Sequence, residues 1–558
     1  LEDTVVAAIK TARTNLAERE SGIATVTNGG VSDTQKANAN SEFEQLKGDL
    51  LSEVTSIVVG KLGVGVLDQL AALDVDALIE KAGAARKKRQ ATGCPGVADC
   101  SKPDSNMYRS VTGKCNNVQN PTQGAAVTPV RRLLGNSSYA DATWIHTGFN
   151  AIRTTGVRGT ALPSSRDISN KLHKEGANPA FDFTKNHLFM QFGQWVAHDI
   201  IFMPSSVGPL GKALDCSSCD SPKTSENCAP IPVPADDPYF KRNSTGRHRR
   251  GYENQGVTPT AGSSRCLRLT RALNAQKGLG VRTQINQNTH FLDLSTVYGS
   301  EECEAASVRS FVQGKLISNV VFGQELPPQK RNDTNCQSKD PFFCFTTGDF
   351  RNSLHPGLIP LHTIYIKEHN RIAAQFYQHN PSWSDEQIFQ EARRVNIAQY
   401  QHQVYAEYLP LVVGNKLMDD FRLRPLRSGF GTDYSPKASA ALTAEFAAAA
   451  YRFGHGLVRK DFPRVSNNNM TAGTTVDLGS NIFYADSHYA INQGGEASFV
   501  EGMMHCPVMK ADNEFSFPIR NQLFEIRGSP GSGLDLVAVN IMRGRDVGLF
   551  PYNQYRAF

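Results

Sequence analysis

Gln194-Trp195-Val196-Ala197-His198-Asp199 packs a proton acceptor, a polar partner four residues earlier and a hard carboxylate into less than two helical turns. Positions four apart share a helix face, so Gln194 and His198 point into one pocket, while Asp199 leaves on another side, free to bind a cation. A helical His beside an acid is usually structural. This segment gains its meaning from four others downstream.

Thr289-His290-Phe291-Leu292-Asp293-Leu294-Ser295 alternates oxygen-bearing and apolar residues. Read as an extended loop, it projects Thr289, Asp293 and Ser295 one way, where they and a backbone carbonyl can wrap a cation. Asp199 completes two carboxylates plus neutral oxygens, a shell suited to calcium. Arg351 precedes a helical stretch, Leu361 to Asn370, that carries His362 and His369. Tyr451-Arg452-Phe453-Gly454-His455-Gly456 sets a His between two glycines, which let a flat ring approach the backbone as an axial haem ligand requires. Asn540-Ile541-Met542-Arg543-Gly544-Arg545-Asp546 offers an amide oxygen to orient an imidazole, with arginines for carboxylates. Singly these are an ordinary loop, a salt-bridge arginine and a satisfied core histidine. Together they supply the parts of one haem site.

The elements that position them read as helices. Pro360–Gln378, Asp385–Leu409 and Lys437–Val458 carry Ala and periodic apolar residues, and Gly-, Pro- and Asn-rich loops separate them. The fold class is mainly α-helical, with long disulfide-tied loops and little β. Residues 1–90 differ in character: they are Ala-, Leu-, Val- and Lys-rich, lack Cys and Trp, and show helical periodicity around Phe43–Val66. They end at Arg86-Lys87-Lys88-Arg89, a string that subtilisin-like convertases cleave, so 1–90 reads as a propeptide ahead of a domain over 91–558. Arg247-His248-Arg249-Arg250 is a second such string.

Bulk properties exclude several classes. A net charge of +6 spread over 558 residues gives little support to nucleic-acid binding. No run of about 20 apolar residues exists to span a membrane. Eleven Cys and sequons at Asn136, Asn243, Asn332 and Asn469, with a start at Leu1, fit a trimmed, glycosylated product of an oxidising compartment, extracellular or in secretory granules. Cys216, Cys219, Cys228 and Cys266 allow a zinc cluster, but no matching second CxxC follows, so disulfides are the better reading. An odd Cys count leaves one thiol without an intrachain partner.

From about Cys100 to Phe558 the chain resembles the animal haem peroxidases, the myeloperoxidase/cyclooxygenase superfamily, and their secreted peroxinectin-like members. The motifs are Tyr108 to Asn117, Gly193 to Asp199, Phe291 to Glu301, Glu368-His369-Asn370-Arg371, Arg452 to His455 and Asn540 to Asp546, in that order. The resemblance implies haem held between central helices, and a secreted enzyme of oxidative-stress chemistry. Such an enzyme reduces hydrogen peroxide and oxidises phenolic or tyrosyl donors or small anions such as bromide, iodide and thiocyanate. Carried over by position, His198 is the distal base, Arg351 the distal cation, and Gln194 the amide that fixes water or halide. His455 is the iron ligand and Asn540 its proton acceptor, while Arg452 and Arg543 are propionate and proximal-side contacts. Asp199, Thr289, Phe291 through its carbonyl, Asp293 and Ser295 are the calcium ligands.

The chain also departs from that pattern. Ala197 and Leu354 stand where mammalian members carry the Asp and Glu that esterify haem, and His355 stands where a Met forms a sulfonium link, so haem b is expected to bind without covalent tethers. The family usually continues beyond the Asn540 motif, so a companion chain or oligomer is expected to complete the fold. Competing readings are a fatty-acid oxygenase, whose radical tyrosine position is Arg452 here, and an adhesion protein, for which Lys47-Gly48-Asp49 would be the tripeptide.

Overall fold

The computed structural model describes the chain apart from residues 21–22, 24, 27–35, 84–98, 102–106, 136, 141–148, 157, 224, 241–264, 467–468 and 471–474. Both basic strings and the sequons at Asn136 and Asn243 lie outside the described residues. Helix accounts for 44% of the chain and strand for 11%, which bears out the mainly helical class. Among the described residues strands occur as two-stranded antiparallel ladders, and none of these organises the core.

The N-terminal part comprises α1 (Glu2–Glu20), α2 (Ala39–Leu62) and α3 (Val75–Lys81). Asn38 caps α2 by accepting from Ser41 N at 2.8 Å, and Asp74 caps α3. Val5, Ile9, Leu51, Val54, Val58 and Leu78 form a core of their own, joined from the body by Leu279. Docking onto the body is polar: Asn38 N and Ser41 Oγ donate to Gln287 Oε1 at 2.9 and 2.8 Å, and Gln45 bonds both N and O of Val207. A Cβ on Gly48 would run into the Asn274 carbonyl, so α2 approaches the body backbone there as only Gly allows.

The body is built around α4 (Ser165–Leu172), α5 (His187–Ile200), α6 (Leu358–His379), α7 (Asp385–Gln403), α8 (Leu409–Asp420), α9 (Ala444–Ala448), α10 (Gly495–His505) and α11 (Leu536–Asp546). Asn186 caps α5, Ser384 caps α7 and Asp535 caps α11, each accepting a backbone N–H in the first turn. α5 runs between two apolar cores. On one side Trp195 stacks on Tyr365 at 5.0 Å amid Leu361, Phe389 and Tyr400; on the other Met190 meets Leu457, Phe462, Phe499 and Val508. A buried cation ties α4 to α11: Arg166 donates at 2.6 Å to both Asp237 and Asp535.

Two expectations need correction. Lys437–Val458 is not one helix: α9 is short, and Ala450–Leu457 is a tighter 3-10 turn. The four cysteines pair as Cys216–Cys228 and Cys219–Cys266, which removes the zinc alternative. Cys100–Cys115 and Cys336–Cys344 tie further loops, and Cys506 is free and buried.

Candidate active site

α5 carries Gln194 and His198 on the face that looks across a cleft at His455, which the 3-10 turn after α9 presents. The cleft encloses about 950 Å³ free of protein atoms, part of it open to solvent, and its walls are mostly apolar. Ala197 and Leu354 are among them. A Cβ on Gly454 would meet nothing within 4 Å, so the floor beside His455 is open.

His198 is fixed through its backbone. Its carbonyl accepts from Asn288 Nδ2 at 2.7 Å and from Arg351 Nη2 at 2.9 Å, while its ring Nδ1 is buried without a partner. Burial, and then the nearby Arg351, hold the imidazole well below its ordinary pKa, so it is neutral, with a lone pair open to a proton. Gln194 Nε2 lies 3.5 Å from His198 Nε2, and Gln194 Oε1 lies 2.7 Å from His355 Nε2. Gly193 faces Tyr408, whose Oη would sit 2.5 Å from a Cβ there.

His455 Nδ1 lies 2.8 Å from Asn540 Nδ2, and burial beside Arg452 holds this ring down at about 3. Asn540 does not accept from the ring as expected. Its Oδ1 takes a hydrogen bond from Arg452 Nη1 at 2.8 Å, because a guanidinium can only donate and so claims the oxygen. Turning the amide by half would let Oδ1 accept from the ring, and Arg452 Nη1 would then need another acceptor. Neither Arg452 nor Arg543 is among the residues that line the cleft; Arg543 Nη1 donates to Asp546 at 2.6 Å.

Arg351 also departs from expectation. Its guanidinium is gripped by Asp349 at 2.5 to 3.0 Å and stacked over Phe202, and it lines a second, more polar cavity rather than the cleft that holds the His198 ring. The carboxylate two residues away captures it.

The five expected cation ligands do come together. Thr289 Oγ1 donates to Asp293 at 2.7 Å and lies 3.2 Å from Ser295 Oγ and 3.5 Å from the Phe291 carbonyl; Asp293 N donates to Asp199 at 3.2 Å. The loop is not extended: Leu294 is left-handed and Ser295 opens a short helix, so the chain curls around the oxygens. Asp199 Oδ1 is buried with no hydrogen-bond partner. Burial, and the Asp293 carboxylate beside it, push the Asp199 pKa well up. Two sealed carboxylates with an orphaned oxygen fit a cation.

Sequence reasoning missed His355 as a partner of Gln194, Asp349 as the holder of Arg351, and Tyr408 against Gly193. A His at a cleft-facing position otherwise given to Met was a usable signal for the first.

The animal haem peroxidase family model matches residues 108–558. "Heme peroxidase 2" of Caenorhabditis elegans is 48% identical over 94% of this chain and 72% of its own length. "Chorion peroxidase" of Aedes aegypti is 34% identical over 80% of this chain, which spans 54% of that protein. Among solved structures, peroxidase A from Dictyostelium discoideum aligns with a TM-score of 0.60 at 26% identity, covering 81% of this chain and 78% of that one. Paired histidines across an apolar cleft, and relatives of this kind over nearly the whole chain, lead to one assignment: the chain belongs to the animal haem peroxidase family and is a peroxidase by class.

Proposed function

We propose that this is a secreted peroxidase that reduces hydrogen peroxide and oxidises phenolic or tyrosyl donors or small anions such as bromide, iodide and thiocyanate. The observation that carries it is His198 and His455 lining one apolar cleft from opposing elements, the first neutral with Nε2 3.5 Å from the Gln194 amide, the second bonded at Nδ1 to Asn540. His455 would hold haem iron, with Asn540 turned to accept its ring proton. Haem, when bound, supplies the reduction of peroxide and the oxidising equivalents passed to donors. His198 takes a proton from peroxide and returns it to the departing oxygen, and Gln194 steadies the incoming group. Arg351 supports the base through the His198 carbonyl; its role at the substrate would require release from Asp349. Asp199, Thr289, Phe291, Asp293 and Ser295 would hold calcium.

Ala197 and Leu354 in the cleft wall support non-covalent haem b, since neither side chain can esterify. Residues 1–90 as a propeptide are part of this reading. Secretion rests on the disulfides. Among the described residues no helix is long and apolar enough to cross a membrane.

The test is direct. The purified protein should show a Soret band, release all its haem to acidified acetone, and turn over guaiacol and bromide with peroxide. Haem retained after extraction, or no turnover in the haem-loaded protein, would refute the corresponding part. A fatty-acid oxygenase has one observation in its favour: Tyr451 lines the cleft, with its Oη 3.4 Å from Tyr408 Oη. Arachidonate-dependent oxygen uptake would establish that alternative.

A further inference from the structure

We propose that His355 is a positioning residue: it locks the Gln194 amide with its N–H groups toward His198, giving the cleft a donor for the oxygen of a peroxide or for a small anion. The inference rests on the reading of His198 as the distal base and adds a residue to it.

The geometry settles which atom of Gln194 faces which neighbour. Gly357 N donates to His355 Nδ1 at 3.2 Å, so Nδ1 carries the lone pair and the neutral ring has its proton on Nε2. That proton meets Gln194 Oε1 at 2.7 Å, where a carbonyl oxygen can only accept. Gln191 Nε2 adds a longer contact to the same oxygen, 3.4 Å. With Oε1 taken from this side, the NH2 end of Gln194 is left toward His198 Nε2. The imidazole itself has little freedom. It is buried at 7% exposure and stacks on Phe462 with centroids 5.3 Å apart. Burial, with His488 nearby, holds it down at about 3, so it stays neutral.

The consequence is a pair of unlike groups side by side. Nε2 of His198 is a base, and the Gln194 amide beside it is a donor. A hydroperoxide can lend its proton to the first while its oxygen accepts from the second. A halide or thiocyanate has no proton to lend and is held by the donor alone. An aliphatic or thioether side chain at position 355 has no N–H to fix Gln194 Oε1, and the amide could then turn its oxygen into the cleft, where it repels an anion.

The test uses the haem-loaded full chain and the Soret perturbation on titration with bromide, with haem content as a control for folding. His355→Leu should weaken bromide binding about tenfold at unchanged haem content. His355→Gln, whose Nε2–H reaches the same oxygen, should stay within about threefold of the parent. Gln194→Leu combined with His355→Leu should bind no more weakly than Gln194→Leu alone. Unchanged binding in His355→Leu, failure of the Gln variant to rescue, or additive losses in the double variant would each overturn the proposal. Peroxide turnover measured in parallel separates the two claims: its absence in the parent protein counts against the peroxidase reading, whereas the binding series alone judges His355.

Discussion

His198 and Asp199 are consecutive in sequence but face different surroundings, the apolar cleft and the oxygen-lined loop, because a helix sends neighbours about 100° apart. Removing the base should be decisive: His198→Ala is expected to lower peroxide-dependent guaiacol oxidation by about 10²- to 10⁴-fold with the Soret band retained. A fall of less than tenfold would contradict its role. On the other side, Asp199 Oδ1 has no partner and faces a second buried carboxylate. Chelation of calcium should therefore lower the Tm by several degrees, corresponding to about 3 kcal/mol at a hundredfold excess over Kd, and Asp199→Ala should abolish the calcium dependence. A chelator without effect would show the site to be something else. Which residues meet, Gln194 with His198 and Asp199 with the Thr289–Ser295 loop, was legible as residue type and spacing. The aim of Arg351 and the orientation of Asn540 were not, since each depends on which neighbour wins a donor: Asp349 takes the first guanidinium, and Arg452 takes the amide oxygen.

At the scale of elements, α6 and α7 follow from Ala content and apolar periodicity, and their expected spans agree with the observed ones to within a few residues, α7 continuing through a π-turn over Val404–Tyr408. The stretch from Lys437 misled because its Ala content speaks for helix while tertiary partners claim its backbone. His290 Nδ1 accepts from Leu442 N at 2.9 Å, and Arg131 pairs with Leu442 O and Ala444 N at 2.8 and 2.7 Å. No local pattern announces such partners. The π-turn at the end of α7 brings Tyr408 against Gly193 of α5. Gly193→Ala should destabilise the protein by about 1–3 kcal/mol in denaturant unfolding, and Tyr408→Phe in the same chain should restore part of it by removing the colliding Oη. Equal stability of Gly193→Ala and parent would mean that the contact yields freely.

For the whole molecule, the N-terminal helices carry a core of their own and sit on the body through polar contacts and one awkward carboxylate. Asp49 Oδ1 is sealed without a partner, and burial pushes its pKa up to about 6 despite the Arg282 charge. A raised folded-state value means that its contribution is fully present below the unfolded value near 3.8 and is lost as pH climbs through about 6. Asp49→Asn should therefore match the parent near pH 4 and become more stable from there to pH 7, by on the order of 2–3 kcal/mol. A difference that does not vary with pH would rule this out. The change in composition near residue 90 was visible in sequence. The docking surface was not, because Gln287, Asn274 and Val207 lie far along the chain from the helices they hold.

The proposed base and the proposed calcium carboxylate are joined by a single peptide unit, which gives the two sites a direct route for coupling. Any ligand that binds more tightly when Asp199 is coordinated must, by thermodynamic reciprocity, raise the affinity for the coordinated ion by the same factor. Titrating calcium in the presence and absence of a bound anion would measure that shared factor from both directions.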